Sequence, residues 1–409
     1  MLLARLIGIA ALLGGLLHGQ EALTSLSVPA TISGGAMYTG RLRITDPGAD
    51  KESAGARLML YPTFKFGKHW FGYAAVQERL EPYFYYDALS PQHHFDTDVI
   101  QGFVGYSARW EGTSLVAKAG RMISAFGSFP TRYDDAQNPL LDQPLGYVTE
   151  VPLRDDQLPC GVADLKSQHY HAISLSCGGA VGSEPGLIPA SLYGLPGVEV
   201  DLQSGRVDGR LQITSGSTVY PKPVSMMRHY AQWTLGGGVT VRQGFRIGAS
   251  GFRGPYLDSD VMPFLPAGAS VRNFPASGIG LDVQYKHGYW SASGELQRFR
   301  FDYPNFVEQP SVRTGYFEAK RILSPRLYLA FRAGWWEPGG IVDNTGASAK
   351  YLDVEVKSQE FGGGIWLNRY QLLKASYEWL EADNWGGTRW NVYGVQLVTS
   401  IHKLAWGFK

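Results

Sequence analysis

Along most of the chain, apolar and polar side chains alternate in runs of about ten residues, the period-two signature of half-buried strands. Val198, Val200 and Leu202 alternate with Glu199, Asp201 and Gln203, and Leu211 and Ile213 with Arg210, Gln212 and Thr214. Leu58, Leu60, Phe64 and Phe66 oppose Arg57, Thr63 and Lys65 in the same way. Such runs begin at residues 37–45 and recur through 57–66, 70–86, 98–110 and 113–122, then from 198 to 402. Short turns such as Gly67-Lys68-His69, Glu111-Gly112, Gly205-Arg206 and His287-Gly288 alternate with longer loops. The tally is about 16 strands, with about 14 or 18 as open alternatives, and an even number lets first and last pair antiparallel. The pattern predicts an all-β antiparallel transmembrane barrel, with both termini and the tight turns at one end and the long loops at the other.

Residues 120–192 interrupt the pattern for longer than any other stretch. They hold Arg132, Asp134, Asp135 and Asp142, a second acidic pair at Asp155 and Asp156, several prolines and both cysteines. As the third long connection, this stretch is expected to fold into the barrel and constrict it. Arg132, Asp134, Asp135 and Asp142 would then face wall arginines, giving a transverse field that favours small charged or dipolar solutes. The alternative is an outward flap over the mouth. Residues 172–177 alternate briefly, but a strand there would put the Gly205-Arg206 turn at the wrong end. Cys160 and Cys177 suit one disulfide in an oxidising compartment, worth about 3 kcal/mol by loop closure. Two separate thiols are the alternative.

Residues 1–20 read as an export signal, with Arg5 before the apolar run Leu6–Leu17, a run too short to span a bilayer. No cysteine follows at the expected cleavage site, so a lipid anchor is not expected. Beyond residue 20 no long apolar run follows. If residues 21–409 enter a membrane, they must do so as a closed barrel, because lipid leaves no partner for an open sheet edge. The expected location is a Gram-negative outer membrane, with its lipid and lipopolysaccharide as partners.

Composition narrows the choice. Aromatics make up 13% of the 409 residues, Gly numbers 51, and the net charge is +1. A near-neutral chain lacks the basic excess of a nucleic-acid binder, while aromatics with glycine suit a membrane barrel and its interfacial girdles. An exported soluble carbohydrate-binding β-protein shares that composition and is an alternative. His93-His94 and His169-x-His171 lack metal-ligand spacing, and no nucleotide-loop, nucleophile-elbow or zinc-protease motif occurs in the mature chain. Adjacent acids without surrounding motif do not make a hydrolase site. Neither a cofactor nor an enzymatic activity is expected.

A lipid-facing Arg or Lys at mid-bilayer costs about 2–4 kcal/mol, so alternation assigns faces. Arg41, Arg43, Lys65, Arg79, Lys118, Arg210, Arg332 and Lys374 should line the lumen with Glu81, Glu199, Asp201, Asp282, Glu295 and Glu378. Arg298 and Arg300 fall on the other face and belong near the outer rim. Mixed signs define a path for small polar solutes; ion pairs that only stiffen the wall are the alternative for any one residue.

Ala119-Gly120-Arg121 with Ala125-Phe126-Gly127, and Gly280-Leu281-Asp282-Val283 with Gly294-Glu295, resemble strands of Gram-negative outer-membrane porins, in the group that includes phosphate-selective channels. The resemblance implies passive diffusion through a 16-stranded barrel, as a homotrimer. Two features depart from it. The lumen charges are mixed where phosphate selectivity wants a basic ladder. The chain ends Trp406-Gly407-Phe408-Lys409, with the aromatic one place before the end. A sealed barrel with a structural or adhesion role, using Trp335-Trp336 and Trp385 as contacts, is the alternative.

Overall fold

The computed structural model describes residues 23–40, 51–80, 83, 95–132, 134–168, 176–179, 186–192, 194–220, 230–350, 354–383, 388–401 and 405–407. A closed barrel of 16 antiparallel strands accounts for most of it. In chain order these are β1 (Ala30–Gly40), β2 (Glu52–Leu60), β3 (Trp70–Leu80), β4 (Phe95–Trp110), β5 (Thr113–Met122), β6 (Leu195–Ser204), β7 (Val207–Ser215) and β8 (Ala231–Arg242). They continue with β9 (Phe245–Pro255), β10 (Pro275–His287), β11 (Trp290–Phe301), β12 (Ser311–Ser324), β13 (Leu327–Pro338), β14 (Val356–Trp366), β15 (Gln371–Ala382) and β16 (Thr388–Ile401).

Each strand pairs with the next in sequence. β5 meets β6 from Met122↔Leu195 to Thr113↔Ser204 despite the long connection between them. β1 meets β16 from Ala30↔Ile401 to Gly40↔Asn391, which closes the ring and leaves no edge. Prolines interrupt the first two strands, since a proline cannot donate to the ladder. Beyond Pro29 and Pro62 the chain runs as Leu23–Ser27 and Thr63–Phe66, which pair with each other. Leu23–Ser27 also pairs with Ala405–Gly407. At the end with the tight turns, Gly112 and Gly205 hold φ of +67° and +56°, a region glycine enters without penalty.

The alternation located nearly every strand. It placed the first at residues 37–45, whereas β1 begins at Ala30, and residues 41–45 lie outside the described ones. Ser33, Gly34, Gly35 and Ala36 are too small to alternate in hydropathy, so the start of β1 carries little signal. No convincing helical pattern occurs in the sequence, yet α1 (Val162–Gln168) forms within the long connection. Asp343 Oδ2, from the loop after β13, accepts from Val162 N at 2.9 Å and holds its first turn.

The distribution of exposure is inverted relative to a water-soluble protein. On β10, Ile279 and Leu281 are 66% and 58% exposed, while Asp282 between Leu281 and Val283 is 6% exposed. An apolar outer band with charges turned away from it is the arrangement that lipid selects. The largest buried apolar cluster joins the long connection (Phe126, Phe129, Leu145, Tyr147) to Phe299, Tyr316 and Trp336 of β11–β13.

Candidate functional site

Cross-strand register assembles a charged row on the polar face. Glu318 on β12 stands opposite Arg332 on β13, Arg332 opposite Glu360 on β14, and Glu360 opposite Glu378 on β15. Arg332 Nε donates to Glu318 Oε2 at 3.1 Å, and its Nη1 lies 3.4 Å from Glu360 Oε2. Guanidinium between two carboxylates satisfies both in a buried setting where either alone would be costly.

The chain between β5 and β6 is bonded onto this row. Arg332 Nη1 donates to the Asp142 carbonyl at 2.6 Å and Nη2 to Asn138 Oδ1 at 2.8 Å. Glu360 Oε1 accepts from Leu141 N at 3.0 Å and Asp142 N at 3.3 Å. Lys374 Nζ on β15 donates to the carbonyls of Asp135, Asn138 and Leu140 at 2.9, 3.2 and 3.1 Å. These carbonyls belong to a turn with no regular ladder, so the buried ammonium takes the place of backbone partners.

Anchors continue around the ring. Glu295 on β11 accepts from Ser128 N and Phe129 N at 3.1 and 2.8 Å, and from Tyr147 Oη at 2.6 Å. Gln212 on β7 accepts from Ala125 N at 3.1 Å, and Arg210 Nη2 donates to the Gly127 carbonyl at 2.6 Å. Ser250 on β9 accepts from Gly127 N at 3.0 Å. On the far side, Asp135 accepts from Arg57 of β2 at 3.2 Å and from Tyr83 at 3.1 Å. Asp134 accepts from Thr31 of β1 at 3.1 Å and from Tyr61.

Among the described residues, no nitrogen or hydroxyl donor reaches the carboxylate oxygens of Asp142, which leaves only another carboxyl to partner them. Burial first, then the neighbouring Glu360 carboxylate, push this carboxyl up to about 7, and it shares a hydrogen bond with Glu378. A proton between the two carboxyls resolves what would otherwise be an orphaned buried charge.

Space is left on one side of the bonded segment. A cavity of about 810 Å³ is bordered by Phe71, Tyr73, Phe103, Lys118 and Glu199 of the wall and by Asp134 of the segment. A second, of about 330 Å³, borders Asp208 and Arg246 and shares Thr131, Asp201 and Arg210 with the first. The charges along the two cavities are largely paired: Lys118 Nζ lies 2.6 Å from both Glu199 and Asp201, and Arg246 lies 2.6 and 2.7 Å from Asp208 and Asp282.

The residues singled out in the sequence fall as follows. Lys118, Arg210, Glu295, Arg332 and Lys374 lie on the polar face in the contacts above. Lys65 stands opposite Phe71 in the short strand beyond Pro62, and Arg79 Nη2 lies 3.9 Å from Asp96. Arg41, Arg43 and Glu81 lie outside the described residues. Asp135 meets a wall arginine, but Arg132 meets a wall acid, Glu318, at 2.5 Å, so the polarity across the segment is mixed. Cys160 and Cys177 are bonded to each other, with Cα atoms 4.9 Å apart. Arg57, Asn138, Gln212, Glu318 and Glu360 were not singled out. Alternation puts Glu318 and Glu360 on the polar face, but only strand register reveals that Arg332 stands between them.

No protein-family model and no curated protein matches the chain. Its fold matches outer-membrane porins of known structure. The outer membrane channel DcaP of Acinetobacter baumannii superposes with a TM-score of 0.55 at 10% identity, over 92% of this chain and 98% of that one. OmpT of Vibrio cholerae, an outer membrane protein in its trimer form, gives 0.52 at 9% identity over 92% and 99%. An anion-selective porin from Comamonas acidovorans gives 0.50 at 10% identity over 93% and 100%. At such identities the likeness is one of fold.

Proposed function

We propose that this chain is an outer-membrane porin through which small hydrophilic solutes diffuse passively. In this reading residues 1–20 are a cleaved export signal, the long connections face outward, and residues 120–192 fold into the lumen as its constriction. The wall residues Lys65, Arg79, Lys118, Arg210, Glu295, Arg332 and Lys374 line the passage or anchor what narrows it.

The observation that carries the reading is the spread of contacts made by residues 124–147. They reach β1, β2, β7, β9, β11, β13, β14 and β15 of a closed ring, a reach suited to a segment within the ring. Their anchors crowd toward β11–β15, while the 810 Å³ cavity borders β3–β7 and reaches Ala30, Thr31 and Ser400 at the β1–β16 seam. A segment pinned against one side narrows a lumen without filling it. The trimer form described for the Vibrio cholerae protein makes a homotrimer the natural assembly to test, with outer-membrane lipid and lipopolysaccharide around it.

Liposome swelling tests the reading. Vesicles bearing the refolded mature chain should swell in isotonic small polar solutes, at rates falling with solute size. Folded barrels that leave the vesicles as tight as protein-free ones would overturn it in favour of a sealed barrel with a structural role.

A further inference from the structure

We propose that the larger cavity is a binding subsite for a neutral, hydroxyl-rich ring, that is, a mono- or disaccharide; this rests on the pore reading above. A water-filled passage gives no reason for apolar surface on its wall, yet Phe71 and Tyr73 of β3 and Phe103 of β4 border this cavity. Register puts them on the polar face: Tyr73 stands opposite Phe103, and Phe71 opposite Gly105, whose other neighbour is Lys118.

The rings form a tilted panel. Phe103 lies 5.5 Å from Tyr73 at 40° and 6.1 Å from Phe71 at 83°, between centroids. Gly105 makes room for it. A Cβ there would fall 2.4 Å from Phe71 Cζ and 2.6 Å from Cε1, so the Phe71 ring lies against bare backbone. With one side taken by the strand, the ring's remaining surface borders the cavity.

Beside the panel are charges that already answer one another. Lys118 sits 5.7 Å from the Phe103 centroid and is held by Glu199 and Asp201, while Asp134 accepts from Tyr61 and Thr31. An ionic solute would have to compete with these pairs. A neutral polyol need not: carboxylates accept from neighbouring hydroxyls through lone pairs the ammonium leaves over. A sugar ring adds a C–H face that gains dispersion and apolar burial on aromatic surface. The volume, about 810 Å³, falls within the ~300–1,000 Å³ typical of small-molecule sites.

Single-channel recording of the refolded mature chain, with D-glucose or maltose added, tests the proposal. Each sugar should give saturable current noise or partial block, and D-mannitol, which has hydroxyls but no ring, should give far less. Phe71→Ala combined with Phe103→Ala should weaken sugar binding about tenfold while conductance steps persist. Gly105→Ala, which keeps every ring but displaces Phe71, should also weaken it. Conducting channels indifferent to sugars, equally blocked by mannitol, or unchanged by both variants would overturn the subsite and leave the pore reading standing. Channels that never conduct would overturn both.

Discussion

The Arg332 guanidinium donates to the Asp142 carbonyl at 2.6 Å, tying β13 to a residue 190 positions earlier in the chain. The same guanidinium stands between Glu318 and Glu360, so one side chain both neutralises the wall and anchors the segment.

Arg332→Met removes both functions. It leaves two buried carboxylates without their shared cation, and breaking such a pair costs about 3–5 kcal/mol. The variant should lose its heat-resistant compact form on gels at a lower temperature than the parent, and its channels should be larger or noisier. Unchanged melting and conductance would show that the anchor lies elsewhere.

The Asp142 carboxyl, raised to about 7 by burial and Glu360, makes the docking pH-dependent. A raised carboxyl favours the docked state while protonated, so docking is tightest below the ordinary carboxylate value of about 4. It loosens as pH rises and the contribution is gone above about 7. Current fluctuations should therefore increase from about pH 5 to about pH 8, and Asp142→Asn should flatten that dependence. A flat parent titration would contradict the assignment.

How much of this was legible in the sequence depends on the kind of interaction. Alternation is local, so Val198–Gln203 or Ile279–Asp282 declare a strand and its faces without help from the rest of the chain. The interruption at 120–192 was visible for the same reason. The row Glu318–Arg332–Glu360–Glu378 was not, because it depends on register between strands. Nor was the use of Lys374 as a partner for three backbone carbonyls, since nothing local marks which buried lysine meets a turn far away in sequence. Arg132 is expected opposite wall arginines, whereas it meets an acid, Glu318, because strand alternation says nothing of which wall residue a loop side chain reaches.

Cys160 and Cys177 join Gln157–Pro159 to Ser176–Gly179, a small sheet separate from the barrel wall. Cys160→Ser with Cys177→Ser should therefore leave the barrel intact while removing about 3 kcal/mol of loop constraint. Limited proteolysis should cut within residues 150–180 faster in the variant, with the barrel fragment surviving. Loss of the barrel itself would contradict the separation.

Leu281 belongs to the exposed apolar face of β10. If that face meets lipid, Leu281→Arg should cost about 2–4 kcal/mol of folding stability in bilayers. Denaturant titration of folding into vesicles measures this. A neutral outcome would place Leu281 outside the hydrocarbon band.

The central claim is an open passage beside a pinned segment, and single-channel conductance in planar bilayers tests it most directly. Discrete, stable steps that grow when Arg332→Met and Lys374→Met release the segment are the predicted result. Silence from demonstrably folded barrels, or steps indifferent to both substitutions, would contradict it.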